Sequence, residues 1–345
     1  MSATLSVEKA EPGGAILRDV LRRAIRLREL QLVVAIAVVV AVSALAHPSF
    51  VSPGNISFML ADSVVTAVLA TGQTIVVLAK GIDLSVAPIL GIAAVVVGFP
   101  AQNHNLPIVA ALGLVVLVGL VLGVGNGLFV SVTRIPPIIA TLATLSVYGG
   151  LQFIIANGQE VVNIPNAYDA LGNNDVVSGI PWVLVIGVGI AVVVALFLRH
   201  TNVGRAIYAV GNDAGAAHRS GIPVQRVIFA TYVLSGVLAG IAGLLYLCHT
   251  GSADSTTGTD SNVNLTSIAA TLIGGTTLTG GRGGVVGSVI GAVFLSVALT
   301  AMVFARIPAI WEPAGVGLLI LLAMVTDRHS SNLAARARRH RQGST

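Results

Sequence analysis

Residues 107–132 read PIVAALGLVVLVGLVLGVGNGLFVSV, 26 positions without one charged side chain. About 20 mostly apolar residues allow a helix to cross the roughly 30 Å hydrocarbon core of a bilayer, so this segment predicts a transmembrane helix. Nine other apolar segments accompany it, at 30–46, 56–78, 86–99, 136–156, 180–198, 228–249, 263–279, 285–304 and 309–326. The sequence therefore predicts an all-α integral membrane protein with about ten transmembrane helices, of which 86–99 and 263–279 are short.

The composition of the 345-residue chain agrees with a membrane protein. Hydrophobic residues make up 55% of it and charged residues 10%, whereas charged residues make up about 25% of a soluble domain. The mean hydropathy is +0.91. An aromatic content of 5% does not fit the aromatic girdles of an outer-membrane barrel. The single cysteine, Cys248, excludes an intrachain disulfide and a zinc site of clustered thiolates, so no metal site is expected.

The basic residues indicate the orientation of these spans, because short cytoplasmic loops collect Lys and Arg. We place the N-terminus in the cytoplasm and count ten spans. Among the Lys and Arg residues of the spans and the loops between them, Arg306 alone then lies on the outer side. The predicted inner side holds Arg18, Arg22, Arg23, Arg26, Arg28, Lys80, Arg134, Arg199, Arg205, Arg219, Arg226, Arg282, Arg328, Arg336, Arg338, Arg339 and Arg341. Both termini are therefore expected in the cytoplasm.

Cytoplasmic tails are expected at residues 1–29 and 327–345, around a transmembrane domain at 30–326. The first apolar run could instead be a cleavable signal peptide that ends at Ala44-Leu45-Ala46. We favour a span, because cleavage would leave nine spans and a mismatched loop pattern. The arginine-rich tail is expected to contact anionic lipid rather than nucleic acid.

Catalytic chemistry has no recognisable motif in this chain. The only lysines, Lys9 and Lys80, are not part of a Gly-Lys-Ser/Thr phosphate loop. The seven histidines show no His-Glu-x-x-His spacing, and no Gly-x-Ser-x-Gly elbow is present. Asp62 is the one ionisable residue expected at membrane depth, and a single acid is weak evidence for a proton relay. We favour a carboxyl near the outer interface that is hydrated or bonded to a neighbouring helix over a substrate contact. No catalytic residue is therefore expected.

The segment KGIDLSVAP, residues 80–88, predicts a tight turn between the second and third spans. Gly81 permits the reversal, and Pro88 favours Ser85 over Asp83 as the helix cap, because its missing N–H is then one that is unpaired anyway. The third helix is expected to begin at Val86 and to have about 14 residues, or about 21 Å. That length is too short to cross a bilayer alone.

The longest inner loop, residues 199–227, carries its own helix signal. Asn212 or Asp213 can cap a helix of two turns from Ala214 to Ser220, and Gly221 suits a left-handed stop. Such a helix could lie parallel to the membrane. We favour a docking site for a cytoplasmic partner over a simple connector, because 29 residues would be long for a connector.

Glycines interrupt an apolar stretch at residues 272–284, which reads LIGGTTLTGGRGG. Leu78, Gly81 and Leu84 match Leu272, Gly275 and Leu278 at a constant offset, a hint of an internal repeat. In transporters, glycine-interrupted segments at corresponding positions in the two halves of the chain indicate the transport pathway. Close helix packing through small residues explains the same glycines equally well, and both interpretations stay open.

Three of these segments resemble signatures of the permease subunits of ribose/xylose-type sugar ATP-binding-cassette importers. They are 81–86 (GIDLSV), 204–212 (GRAIYAVGN) and 274–283 (GGTTLTGGRG), and the resemblance runs from about residue 50 to 325. Residues 215–221 also resemble the Glu-Ala-Ala-x-x-x-Gly loop by which importer permeases contact their ATPases. Two departures are Gly215, where that loop has Glu, and Lys80, where the sugar family commonly has Gly.

The resemblance assigns three groups of residues. The ATPase-coupling loop holds Gly204, Arg205, Gly211, Asn212, Ala216, Ala217 and Gly221. The signature turn holds Gly81, Asp83, Leu84 and Ser85, and the glycine-rich segment holds Gly274, Gly275, Gly280, Gly281 and Arg282. From depth in the predicted helices alone, Gln73, Asn126 and Thr144 are candidate contacts along the substrate path.

The resemblance implies a permease of the bacterial inner membrane that imports a pentose, a hexose or a related polyol. Two copies, most simply a homodimer, would form the pathway. Two cytoplasmic ATPase subunits would use the ATP, so that this chain binds no cofactor, and an extracytoplasmic binding protein would deliver the sugar. A branched-chain amino-acid permease of the same importer class is the nearest alternative, because residues 204–246 also resemble that family. A secondary carrier is a further alternative, and an intramembrane enzyme is the least favoured.

Overall fold

A computed structural model describes residues 28–177, 180–260 and 262–322 of the chain, with backbone only at Arg28. The predicted tails therefore lie outside the described residues, apart from Arg28 and Glu29. The helices are α1 (Arg28–Ala46), α2 (Pro53–Leu78), α3 (Val86–His104), α4 (Ile108–Ser131), α5 (Pro137–Ala156), α6 (Asn166–Asn173), α7 (Trp182–His200), α8 (Asn202–Asn212), α9 (Ala214–Arg219), α10 (Val224–Thr250), α11 (Val263–Ile273), α12 (Val285–Phe304) and α13 (Ala309–Leu322). Strands β1 (Asp175–Val177) and β2 (Ile180–Pro181) form a small antiparallel pair.

Within the described residues, eight helices are long and apolar enough to cross a membrane. They are α1, α2, α3, α4, α5, α7, α10 and α12. The shorter apolar helices α11 and α13 occupy the other two predicted spans. The all-α membrane fold expected from the sequence is therefore confirmed.

Two predicted helix lengths are wrong. Helix α3 does begin at Val86, but it continues through Pro100 to His104 and has 19 residues, which meets the length and composition of a membrane span. Asn105, in the left-handed conformation, ends it with an N–H bond to the carbonyl of Ala101. Helix α11 ends already at Ile273, because Gly275 turns the chain with a φ of 96°.

The predicted inner loop at 199–227 contains two helices, where the sequence predicted one. The predicted helix is present as α9, but α8 precedes it over Asn202–Asn212. The side chain of Thr201 caps α8 by accepting the N–H of Gly204 at 3.0 Å. The cap could be read from the sequence, but the length of α8 depends on the packing of Ile207 and Val210 in the main core.

Helix α10 forms the centre of the bundle and packs closely along α4. A Cβ atom at Gly119 would lie 2.2 Å from the carbonyl oxygen of Gly236, and one at Gly240 would lie 2.2 Å from that of Val115. Small residues allow helix backbones to approach this closely. By contrast, α1, α4, α5 and α7 carry many of the exposed large apolar side chains, which suits a surface in contact with lipid.

Candidate translocation and coupling site

The signature turn, residues 79–85, lies deep in the bundle and is organised around the buried carboxylate of Asp83. Its Oδ1 atom accepts the N–H of Ser85 at 3.0 Å and the hydroxyl of Ser85 at 2.7 Å. Its Oδ2 atom accepts the hydroxyl of Ser235 at 2.9 Å. Ser235 lies near the middle of the 27-residue α10, so Asp83 lies near the middle of the bundle along the membrane normal. Ser85 is the residue before α3, but its side chain bonds to Asp83 and caps no helix N–H.

Other helices also hold the backbone of this turn. The amide of Gln73 on α2 donates to the carbonyl of Asp83 and accepts its N–H at 3.3 Å. The carbonyl of Ile82 accepts the hydroxyl of Thr141 on α5 at 3.1 Å and that of Tyr232 on α10 at 3.4 Å. The turn is thus bonded to several helices at once, and a displacement of the turn must disturb them together.

The three candidate path residues lie in or beside this network. Gln73 and Asn126 are fully buried, and Asn126 donates to the hydroxyl of Ser85 at 2.6 Å. Among the described residues, the Oδ1 atom of Asn126 has no hydrogen-bond partner. Thr144 is buried one turn from Thr141 and donates to its carbonyl at 3.3 Å. These positions give Gln73 and Asn126 a structural role, and contact with a substrate stays a prediction for all three.

The end of the signature turn that adjoins α2 meets both the coupling loop and the glycine-rich segment. The N–H of Gly281 donates to the carbonyl of Leu78 at 2.9 Å, and the ammonium of Lys80 donates to the carbonyl of Asn212 at 3.3 Å. A Cβ atom at Gly211 would lie 1.7 Å from the carbonyl oxygen of Leu78. Three motifs far apart in the sequence therefore form one junction, which we call the inner junction (residues 78–81, 211–212 and 280–281).

Glycines elsewhere in these motifs also serve close packing. A Cβ atom at Gly274 would lie 2.4 Å from the backbone of Gly287, and one at Gly204 would lie 2.3 Å from the carbonyl oxygen of Leu198. The hydroxyl of Tyr208 on α8 donates to the carbonyl of Gly283 at 3.0 Å. The glycine-rich segment is therefore fixed to α8 as well as to the signature turn. Arg282 and Arg205 are exposed, and Leu84 is half-buried.

The two departures from the family pattern have different structural settings. Lys80 has a φ of 65°, a left-handed conformation that favours glycine, which explains why Gly suits this position. The Lys80 ammonium group donates a hydrogen bond to the carbonyl of Asn212, an interaction that glycine could not make. Gly215 is exposed on α9, so the absence of the Glu side chain leaves no gap in the packing of this chain.

Helix α9 has the cap and stop that the sequence predicts. Asp213 accepts the N–H of Ala216 at 2.9 Å, and Gly221 has a φ of 82°. Hydrogen bonds from the N–H groups of Ala216 and Gly215 hold the pKa of Asp213 below its usual value. Ala217 is buried against the chain, whereas Gly215 and His218 are exposed, so the accessible face of α9 carries the latter two.

The sequence did not reveal the partners of the signature turn. Ser235, Thr141 and Tyr232 are isolated polar residues on apolar helices, and such residues also occur at ordinary helix contacts. Polarity at membrane depth was the only signal available for them. Their convergence on residues 82–83 required the three-dimensional arrangement.

Comparisons with known proteins identify the family. Residues 55–324 match the family model described as branched-chain amino acid transport system / permease component. No solved structure gives a significant match. The chain is 35% identical to the probable ABC transporter permease protein y4mJ of Sinorhizobium fredii, over 94% of this chain and 96% of that one.

Two other relatives have names that state what they import. The chain is 32% identical to the autoinducer 2 import system permease protein LsrC of Klebsiella pneumoniae, over 90% of each chain. It is 34% identical to the fructose import permease protein FruG of Bifidobacterium longum, over 81% of this chain and 84% of that one. The chain therefore belongs to this permease family and is a multi-pass inner-membrane subunit of an ATP-binding-cassette importer, which works with an ATPase subunit and a substrate-binding protein.

Proposed function

We propose that this permease forms the pathway for a monosaccharide, a pentose, a hexose or a related polyol. The observation that carries the proposal is the motif GIDLSV at residues 81–86, which resembles the sugar importers. Most of it forms the signature turn, near the middle of the bundle. FruG, a relative over most of the chain, is named for fructose import. A branched-chain amino acid is the alternative substrate, favoured by the description of the family model.

We propose that the ATPase docks on the accessible face of α9. Helix α9 follows α8 directly, and the end of α8 lies in the inner junction against Leu78. A movement of α9 would therefore reach the signature turn through a backbone contact, without a flexible linker. Asp83 lies five residues after Leu78 and accepts a hydrogen bond from Ser235 on α10. The same movement would therefore reach the middle of the membrane domain.

The charge around α9 indicates the chemistry of the docking partner. A groove of about 530 Å³ beside α9 is lined by Arg134, Arg226, His218 and Gly215, among others. Opposite charges across an interface steer association and fix its register. The family loop carries Glu at the position of Gly215, so this chain has a more basic docking face. We expect the ATPase surface that enters this groove to be acidic.

We extend the proposal to cofactor binding, the number of permease copies and the location of the termini. The chain lacks a phosphate-loop motif and is proposed to bind no nucleotide or other cofactor, because the partner ATPase uses the ATP. Two identical copies would enclose the pathway, and both termini would lie in the cytoplasm, as the distribution of Lys and Arg indicates.

Uptake measurements test the substrate. The complete importer would be reconstituted in vesicles and supplied with radiolabelled D-ribose, D-xylose, D-fructose or L-leucine, each with the cognate binding protein and with or without ATP. We expect ATP-dependent accumulation of at least one of the three sugars and none of leucine. Accumulation of leucine and of none of these sugars would contradict the monosaccharide proposal.

A further inference from the structure

We propose that the loop after α10, residues 251–260, lines the outer half of the translocation path and offers its side chains to the hydroxyl groups of the passing substrate. We call it the outer loop. The inference deepens the proposed function and rests on it for the substrate class. The loop lies between the predicted spans 228–249 and 263–279, on the side that the distribution of Lys and Arg makes external.

The outer loop descends along α3 into the membrane domain. Ala253 pairs with Val161, whose side chain would lie 2.7 Å from a Cβ atom at Gly98 near the outer end of α3. Further along the loop, a Cβ atom at Gly258 would lie 2.7 Å from the carbonyl oxygen of Ala87, close to the start of α3. Eleven residues of helix separate Gly98 from Ala87, about 16 Å at 1.5 Å per residue. The loop thus reaches about half the thickness of a hydrocarbon core.

The tip of the outer loop comes close to the level of the signature turn. Ala87 is only four residues after Asp83 in the chain, and Asp83 bonds to the middle of α10. The loop enters from the outer side and the turn from the inner side. Two non-helical segments therefore approach each other near the centre of the membrane, the arrangement in which transporters place their substrates.

One side of the outer loop packs against protein, and its other side is partly exposed. Helix α5 holds it through Gln152, whose Nε2 atom donates to the carbonyls of Asp254 and Thr257 at 3.1 Å and 3.0 Å. Asp254, Ser255 and Thr256 remain partly exposed. Non-helical backbone at membrane depth is tolerated only where it is buried in protein or faces a water-filled cavity. The open side of the loop therefore faces either the second copy or water, and we assign it to the water-filled path.

One buried polar atom at this place lacks a partner. Gln152 is fully buried, and its Oε1 atom has no hydrogen-bond partner in the described part of the chain. Its amide lies against the outer loop through the two bonds of Nε2. A buried acceptor left unpaired is destabilising, so a donor supplied from outside the chain, such as water or a sugar hydroxyl, would stabilise this position.

The side chains of the loop match a polyhydroxylated substrate. Ser252, Ser255, Thr256, Thr257 and Thr259 carry hydroxyls, and Asp254 and Asp260 carry carboxylates. Asp254 is already engaged by the hydroxyls of Thr256 and Thr257, at 3.1 Å and 3.0 Å. The hydroxyl of Ser255 makes no hydrogen bond to the described residues, so it is available to a ligand. Hydroxyls both donate and accept, as sugar recognition requires.

Cysteine labelling in the complete importer tests the assignment. A membrane-impermeant thiosulfonate reagent, added from the outer side, would be applied to Ser255→Cys and to Val193→Cys. Val193 is exposed on the apolar surface of α7, at 65%, and serves as a control in contact with lipid. The reagent needs a thiolate in water. Wild type gives the background, because Cys248 is buried. The variant Ser255→Ala shows whether loss of the hydroxyl alone alters folding or assembly.

We expect Ser255→Cys to react at least tenfold faster than Val193→Cys, and its reaction to abolish ATP-driven sugar uptake. Binding protein loaded with the transported sugar should slow the labelling. Equal labelling rates at the two positions, or full labelling with unchanged uptake, would overturn the assignment of the loop. Failure of the proposed function has a different signature: the unlabelled wild type would accumulate L-leucine and none of D-ribose, D-xylose and D-fructose.

Discussion

The N–H of Gly281 donates a hydrogen bond of 2.9 Å to the carbonyl of Leu78, and this bond joins the glycine-rich segment to the last residue of α2. Gly211 at the end of α8 touches the same carbonyl. The inner junction therefore connects the proposed ATPase-docking helix to a signature turn that is bonded to several helices of the bundle.

Gly211→Ala should disrupt the inner junction. Its Cβ atom would lie 1.7 Å from the carbonyl oxygen of Leu78, so the backbone must separate, and overpacking of this kind costs about 1–3 kcal/mol. We expect ATP-driven uptake to fall at least tenfold in vesicles. Gly189→Ala is the matched control, because a Cβ there would meet no described atom within 4 Å. Equal losses in the two variants would contradict the role of the junction.

Lys80→Gly and Lys80→Ala should differ in stability. Lys80 holds a left-handed conformation, which costs a residue with a Cβ roughly 1–2 kcal/mol. Both variants lose the bond to Asn212, but only glycine relieves the strain. We expect Lys80→Gly to be about 1 kcal/mol more stable than Lys80→Ala, measured by thermal unfolding in mild detergent. The strain argument fails if the alanine variant is equally stable.

Asp83→Ala should destabilise the membrane domain strongly. It would leave three buried donors unpaired, from Ser85 and Ser235, and each unpaired donor costs about 1–3 kcal/mol. Asp83→Asn keeps an acceptor oxygen and should lose less. Glu160→Ala, at an exposed outer position, should be neutral. Chemical unfolding of the three purified variants gives the order, and an Asp83→Ala protein as stable as wild type would refute the organising role of this carboxylate.

Asp213→Ala should weaken ATPase docking, because it removes the cap of α9, whereas Asp213→Asn keeps an acceptor. The pKa of Asp213 lies below its usual value. The stabilisation of α9 by the ionised cap is therefore present above the unfolded value of about 3.9 and is lost only as the pH falls through the lowered pKa. The ratio of co-purified ATPase between wild type and Asp213→Asn should stay constant from pH 5 to 8. A ratio that drifts within this range would show that the cap titrates there.

The sequence predicted most of the fold because apolar length determines a transmembrane helix almost alone. Local signals also placed the start of α3 at Val86 and the cap and stop of α9. The continuation of α3 past Pro100 was missed, since proline removes one hydrogen bond but does not always end a helix that is packed on both sides. The end of α11 agrees with the glycine interruption that the sequence indicated, but the predicted span continued to Thr279 because residues 274–279 carry no charged side chain and no proline.

The site was predictable as motifs but not as an arrangement. Leu78, Gly211 and Gly281 belong to segments that the sequence singled out separately, and their meeting follows from packing between distant helices. The depth of the outer loop was hidden for the same reason. Its serines, threonines and aspartates have the composition of a solvent-exposed turn, and only its contacts with Gly91 and Ala87 along α3 place it inside the bundle.

Co-purification of an ATPase tests the central claim that α9 is the docking element of an importer permease. The tagged importer would be isolated in mild detergent as wild type, Gly215→Trp and Gly54→Trp, and the bound ATPase measured by mass spectrometry. Gly215 is exposed on α9, and Gly54 is exposed at the opposite end of the molecule. We expect wild type and Gly54→Trp to retain the ATPase and Gly215→Trp to lose most of it. Full retention by Gly215→Trp would contradict docking on α9.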